Sequence, residues 1–203
     1  MIRFFASNEY KENIYLLDNG QNSILLDPGE MSEETAKRIV DTSSPISAIL
    51  LTHGHFDHFN GIPRIFEIRQ DIPIYMSNVD YENISINCLL RFLTKSSKNS
   101  YLPTKVTSFN TSDFQRVEKD FDLKLIETPG HTKGSVCFLY MNSLFSGDTL
   151  LNKKPGTAYW PDANLSKLEK SIEVLKSVEF VDVYPGHGKK FTKTEITWSP
   201  HGS

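Results

Sequence analysis

The stretch Thr52-His53-Gly54-His55-Phe56-Asp57-His58 constrains the chain more than any other. It places three imidazoles and a carboxylate within six positions, directly after the apolar run Ile46-Ser47-Ala48-Ile49-Leu50-Leu51. That run reads as a buried strand. Neutral imidazole and carboxylate are ligands for zinc-type ions, and an ion with an open coordination position activates water. Neither an apolar core nor a solvated face uses so many ligand groups at the end of one strand.

Other strands end in the same way. The Asn19-Gly20 turn separates strands over 13–17 and 23–26, and the second stops at Asp27-Pro28-Gly29. A strand over 123–127 runs into Thr128-Pro129-Gly130-His131, and a hairpin of 135–140 and 143–146 ends at Gly147-Asp148. A strand over 180–184 ends at Pro185-Gly186-His187-Gly188. Gly and Pro beside His131, Asp148 and His187 suit tight bends that re-aim a side chain. If these ends meet on one edge of a pair of sheets, they build one site.

The remaining elements follow from pattern. Ser32 is the expected N-cap of a helix to about Asp41, Asn60 that of a helix to about Gln70, and 165–177 carries Leu168, Ile172 and Leu175 at helical spacing. Residues 2–6 and 73–76 read as strands, 78–93 as an irregular helix and 94–102 as a loop. Residues 106–109, 114–117 and 123–127 read as strands of a second sheet, 152–164 as a long loop and the tail from Lys189 as polar.

In His-x-His-x-Asp-His, alternate residues of a tight loop face opposite ways. His53 and His55 can share one metal, completed by His131. Asp57 and His58 can reach a second, completed by His187, with Asp148 bridging through its two oxygens. Two-metal hydrolytic sites hold their ions about 3.5–4 Å apart.

Thr52 to His58, Pro129-Gly130-His131-Thr132, Ser146-Gly147-Asp148-Thr149 and Pro185-Gly186-His187-Gly188 together resemble the metallo-β-lactamase fold superfamily, in the family's order over nearly the whole chain. Asp27-Pro28-Gly29 is similar to its early Asp-x-Gly strand end. The residues around the ligands are most similar to glyoxalase II and its shorter relatives. The resemblance implies an α/β fold, an αββα four-layer sandwich of two mixed sheets flanked by helices, over one domain spanning residues 1–203. It implies two Zn2+, or a mixture of Fe, Mn and Zn. His53, His55 and His131 would hold the first metal, Asp57, His58 and His187 the second, with Asp148 bridging and Asp27 behind a ligand histidine. It also implies a metal-bridging hydroxide, oriented by Asp57, that hydrolyses a small acyl thioester or ester. Alternatives within the resemblance are a mononuclear iron persulfide dioxygenase and a lactonase; a further one is a metal-binding domain without turnover.

Departures from the pattern bear on substrate. No C-terminal glutathione-gripping helical domain follows His187, and Lys153-Lys154-Pro155-Gly156-Thr157-Ala158-Tyr159-Trp160 replaces the Gly-Arg segment frequent in the short relatives. Asp148 stands where lactamases with a zinc-binding cysteine carry that cysteine. Lys133, Lys153, Lys154, Tyr159 and Trp160 are candidates for the substrate mouth, with loop solubility and packing as the plainer reading. His201 belongs to the tail. Cys137 reads as core, and Cys88 and Cys137 have no metal or redox spacing, so free thiols in a reducing compartment are expected.

A net charge of −3 argues against a general nucleic-acid binder. The first residues lack a signal-peptide pattern, and no run reaches the roughly 18 apolar residues of a membrane span. A cytoplasmic enzyme of small molecules is the expectation. The oligomeric state is not read from the sequence.

Overall fold

Near-continuous apolar runs make the inner strands of the first sheet, because strands buried on both faces carry no alternation. The computed structural model describes residues 1–7, 11–41, 44–84, 105–159, 161 and 163–199. It divides into two compact units, Met1–Thr111 and Ser112–Ser203.

The first unit holds a six-stranded mixed sheet in the order β1-β2-β3-β4-β5-β6. Its strands are β1 (Ile2–Ala6), β2 (Asn13–Asp18), β3 (Ser23–Leu26), β4 (Ile46–Leu50), β5 (Ile74–Met76) and β6 (Thr107–Ser108). β1, β2 and β3 pair antiparallel, and β3, β4, β5 and β6 pair parallel. The β2–β3 turn is made at Asn19-Gly20, with Gly20 at φ 90° and its N–H donating to Asp18 Oδ1 at 2.8 Å. Helix α1 (Glu33–Asp41) starts where expected, since Thr35 N–H donates to Ser32 Oγ at 3.1 Å. Helix α2 (Ile62–Phe66) is shorter than its pattern. Its N-cap is Gly61, without a side-chain cap, so Asn60 does not play that part. A third helix, α3, is described over 78–84; the rest of the expected irregular helix and the 94–102 loop lie outside the described residues. Ile14, Leu16, Ile39, Ile49, Phe59 and Ile65 are among the fully buried residues of this unit's core.

The second unit departs from the sequence reading in three places. Residues 114–117 are not a strand but the start of helix α4 (Ser112–Phe121). Phe114 and Phe121 are buried and Val117 half-buried, a spacing of three and four that lays all of them on one helical face. The strand expected at 106–109 is β6 of the first sheet, paired parallel to β5, not part of the second. The 152–164 loop begins with a small hairpin, β10 (Leu150–Leu151) with β11 (Lys154–Pro155), and the polar tail contains β13 (Phe191–Thr192), anchored by buried Phe191.

Five strands form this unit's sheet, in the order β13-β12-β9-β8-β7. β7 is Leu123–Glu127, β8 Val136–Tyr140, β9 Ser143–Gly147 and β12 Asp182–Pro185. β12 runs parallel to β9 and the other pairs are antiparallel. Helix α5 (Leu165–Ser177) is capped by Asn164, whose side chain accepts from Lys167 N–H at 2.9 Å. It buries Leu168, Ile172 and Leu175. Among the described residues, no helix is long and apolar enough to cross a membrane.

Candidate functional site

In the first unit the parallel strands deliver their carboxyl ends to one edge. β3 ends into Asp27 and β4 into Thr52 to His58, the register pairing Leu26 with Leu50. Asp27 takes a positive φ of 44°, which turns its carboxylate toward the neighbouring loop. There it accepts Thr52 N–H at Oδ1 (2.8 Å), and Thr52 Oγ–H (2.6 Å) and His58 Nδ1–H (3.0 Å) at Oδ2. All three residues are buried.

These contacts assign protons. A carboxylate only accepts, so His58 carries its proton on Nδ1 and presents its lone pair at Nε2. Thr52 spends its hydroxyl proton on Asp27, so its oxygen accepts His53 Nδ1–H at 3.0 Å. His53 therefore also presents Nε2 as a lone pair. That nitrogen lies 3.1 Å from His55 Nδ1. Two nitrogens on one tetrahedral zinc, each about 2.0–2.1 Å from the ion, stand roughly 3.3 Å apart. The His53–His55 spacing fits a shared ion. The rings of His53 and His58 lie with centroids 4.1 Å apart, and Asp57 and His58 offer ligand atoms within 4.8 Å of each other. The loop between the first two histidines is pinned by Asp80 of α3, whose Oδ2 accepts Gly54 N–H at 2.8 Å.

The second unit carries the other three ligand candidates on the ends of β7, β9 and β12. Gly130 has φ 146°, and a Cβ there would stand 2.3 Å from the Leu168 backbone, so α5 rests directly on the turn before His131. Ser171 Oγ–H donates to Pro129 O at 2.8 Å from the same helix. Gly186 N–H donates to Gly147 O at 2.8 Å, which sets the β9 and β12 ends side by side and brings Asp148 to His187. Asp148 Oδ2 lies 3.6 Å from His131 Nε2 and 3.8 Å from His187 Nε2. Both separations exceed a hydrogen bond and suit donor atoms sharing metal ions. His131 donates its Nδ1–H to Thr157 O at 2.8 Å, which again turns Nε2 into the lone-pair nitrogen.

The strap that supplies that carbonyl is tightly laid. A Cβ on Gly156 would stand 1.8 Å from Asp148 O, and Gly156 N–H donates to Thr149 O at 2.9 Å. Beneath it, Cys137 is fully buried beside Thr128 and Thr149. Burial pushes its thiol up to about 11, which makes it a core residue and not a nucleophile.

The first unit thus gathers His53, His55, Asp57, His58 and Asp27, and the second gathers His131, Asp148 and His187. Lys133, Lys154 and Tyr159 are exposed and reach none of these side chains in any described contact. Lys153 pairs with Glu195 at 2.6 Å, and Trp160 lies outside the described residues. Thr52, Asp80 and the Thr157 carbonyl escaped the sequence reading. Thr52 sits beside the histidine run and could have been found as a hydroxyl next to ligands; Asp80 and Thr157 act over 26 positions and leave no local signal.

A sequence profile described as the metallo-beta-lactamase superfamily matches residues 8–187. The chain belongs to that superfamily. Its members are mostly metal-dependent hydrolases that bind divalent metals, and the histidine and aspartate clusters of this chain suit that donor chemistry. A probable metallo-hydrolase of Streptococcus pyogenes is 28% identical over 89% of this chain and 81% of its own length. A hydroxyacylglutathione hydrolase of Francisella philomiragia is 28% identical over 91% of this chain, which spans 66% of that enzyme. The solved structure of TTHA1623, in a di-iron-bound form, is 29% identical with a TM-score of 0.75, covering 94% of each chain. The mixed sheets with their helices are the metallo-β-lactamase fold.

Proposed function

We propose that this metallo-β-lactamase chain is a dinuclear metal-dependent hydrolase of a small acyl thioester or ester, with glyoxalase II-like chemistry. In this reading the two units act as one domain. His53, His55 and His131 would hold one metal and Asp57, His58 and His187 the other, with Asp148 shared by both. The observation that carries it is the setting of the ring protons. Asp27, directly and through Thr52, and the Thr157 carbonyl commit the Nδ1 protons of His58, His53 and His131. Three imidazoles are thereby fixed as Nε2 donors. A histidine serving only in packing needs no such control.

Divalent metals held there supply a Lewis acid and a water whose pKa falls toward about 7. The chain's own residues do the rest. Asp57, beside His58 in the same loop, would orient such a water as well as help hold the ion. Asp148, a carboxylate about one-tenth exposed, balances cationic charge between His131 and His187. The strap over 156–157 holds His131 while the exposed Tyr159, two residues on, stands free to meet substrate. Similarity to a hydroxyacylglutathione hydrolase supports a thioester, and similarity to a di-iron structure supports iron beside zinc as the resident ion.

The test is metal analysis of purified protein together with turnover of a glutathione thioester, a lactone, a cephalosporin and glutathione persulfide. Two metals per chain and preferred thioester turnover are expected. One iron with oxygen consumption on the persulfide would overturn the reading, as would preferred turnover of the cephalosporin; preferred turnover of the lactone, a cyclic ester, would replace the thioester as substrate and favour a lactonase.

A further inference from the structure

Asp80 lies outside the ligand set, yet it is 2% exposed and stands on helix α3, against the middle of the histidine run. Its Oδ2 accepts the Gly54 N–H at 2.8 Å. Gly54 is the residue between His53 and His55, so this bond holds the peptide that sets the separation of the two rings. The approach to Asp80 is close. A Cβ on Gly54 would stand 3.2 Å from Asp80 Cβ, 3.3 Å from Asp80 O and 3.5 Å from Asp80 Oδ2. Helix and loop therefore approach closely enough that any side chain at Gly54 would press on Asp80. The bond is buried, with its acceptor oxygen carried on a helix, so the Gly54 peptide is held from a fixed support. Across that peptide His53 Nε2 lies 3.1 Å from His55 Nδ1.

We propose that Asp80 is a positioning residue for the metal held by His53 and His55: its carboxylate oxygen, through the Gly54 amide, sets the bite of that pair. The inference rests on the dinuclear reading for its effect, while the contact itself does not. A positioning role needs the oxygen at its place and not the charge. Asp80→Asn keeps an oxygen acceptor in the same place; Asp80→Ala removes it.

Both variants and the wild type are purified metal-free and titrated with Co(II), following stoichiometry, affinity and the ligand-field absorption spectrum, with folding checked by circular dichroism. Supporting partners of ligands typically carry 10–100-fold in metal affinity. Asp80→Ala should lose affinity at one of two metals within that range and change the spectrum of that site, leaving the other site as in the wild type. Asp80→Asn should keep both affinities within about twofold and restore the spectrum. Unchanged affinity and spectrum in Asp80→Ala overturn the proposal, as does Asp80→Asn falling as far as Asp80→Ala. If Asp80→Ala does not fold, Asp80→Glu takes its place, since it keeps the charge and displaces the oxygen by one methylene; wild-type affinity and spectrum in that variant overturn the proposal in the same way. A wild type that binds only one Co(II) refutes the dinuclear reading instead, and the variants still report on Asp80 at that one site.

Discussion

Replacing Asp27 by Asn separates the fold from the metal chemistry. Asp27 accepts three hydrogen bonds, from Thr52 N, Thr52 Oγ and His58 Nδ1. The asparagine oxygen keeps the Thr52 N–H, while the new NH2 group meets two former donors. Hydrogen bonds to a charged acceptor contribute about 1.5–3 kcal/mol each, so two lost bonds cost roughly 3–6 kcal/mol. His58 can recover one by moving its proton to Nε2 and accepting at Nδ1, and a neutral amide costs less to bury than a carboxylate. The net loss of folding stability is then about 2–3 kcal/mol. The recovery has a consequence, because a proton on Nε2 occupies the lone pair that holds metal. Affinity at that site should fall about 10–100-fold, equivalent to roughly 1.4–2.7 kcal/mol. Urea denaturation of metal-free protein measures the first quantity, and competition against a chromophoric chelator measures the second. Lost stability with full affinity at both metals would refute the proton-setting argument and leave Asp27 a fold residue alone.

Two further perturbations test separate parts of the structure. Gly130→Ala forces a Cβ to within 2.3 Å of the Leu168 backbone at a φ of 146°, so stability should fall by about 3 kcal/mol or more in guanidinium denaturation; a loss under about 1 kcal/mol would mean that α5 does not rest on this turn. The Lys153 ammonium, with the Thr192 amide and hydroxyl, holds the Glu195 carboxyl at about 2, below its ordinary value of 4.5. A folded value below the unfolded one means that the contribution is complete above 4.5 and fades as pH falls toward 2. A carbon-detected NMR titration should place the Glu195 midpoint near 2 and move it part of the way to 4.5 in Lys153→Met; an unmoved midpoint would show that the pair does not form in solution.

The candidate ligands stood out in the sequence because each is chemically distinctive and sits where an apolar run meets Gly or Pro. His131 and His187, each an ordinary turn histidine by itself, stood out only in the company of the Thr52 to His58 run. What was not legible depends on partners distant in sequence. Nothing near Asp80 says that its oxygen faces Gly54, and nothing near Thr157 marks its carbonyl as the acceptor for His131. The misread elements have the same origin. Phe114-Gln115-Arg116-Val117 is too short to separate a period of two from one of three or four, and only Phe121 decides it. Residues 106–109 form a strand in either sheet, and the choice lies in parallel pairing with β5. Buried Phe191 makes an edge strand of a mostly polar tail, and Ile196 anchors the turn that follows in the same core.

The hydrogen bonds that set the ring protons of His53, His58 and His131 are made by protein groups already seated on their own cores, Ile14 to Phe59 in one unit and Leu144 to Leu168 in the other. On the proposed reading the fold rests on these cores and not on the ions, unlike a zinc finger, whose chain folds around its metal. Chelation should then yield a folded chain without turnover that regains it when metal is returned, and far-UV circular dichroism before and after chelation checks the first half of that expectation.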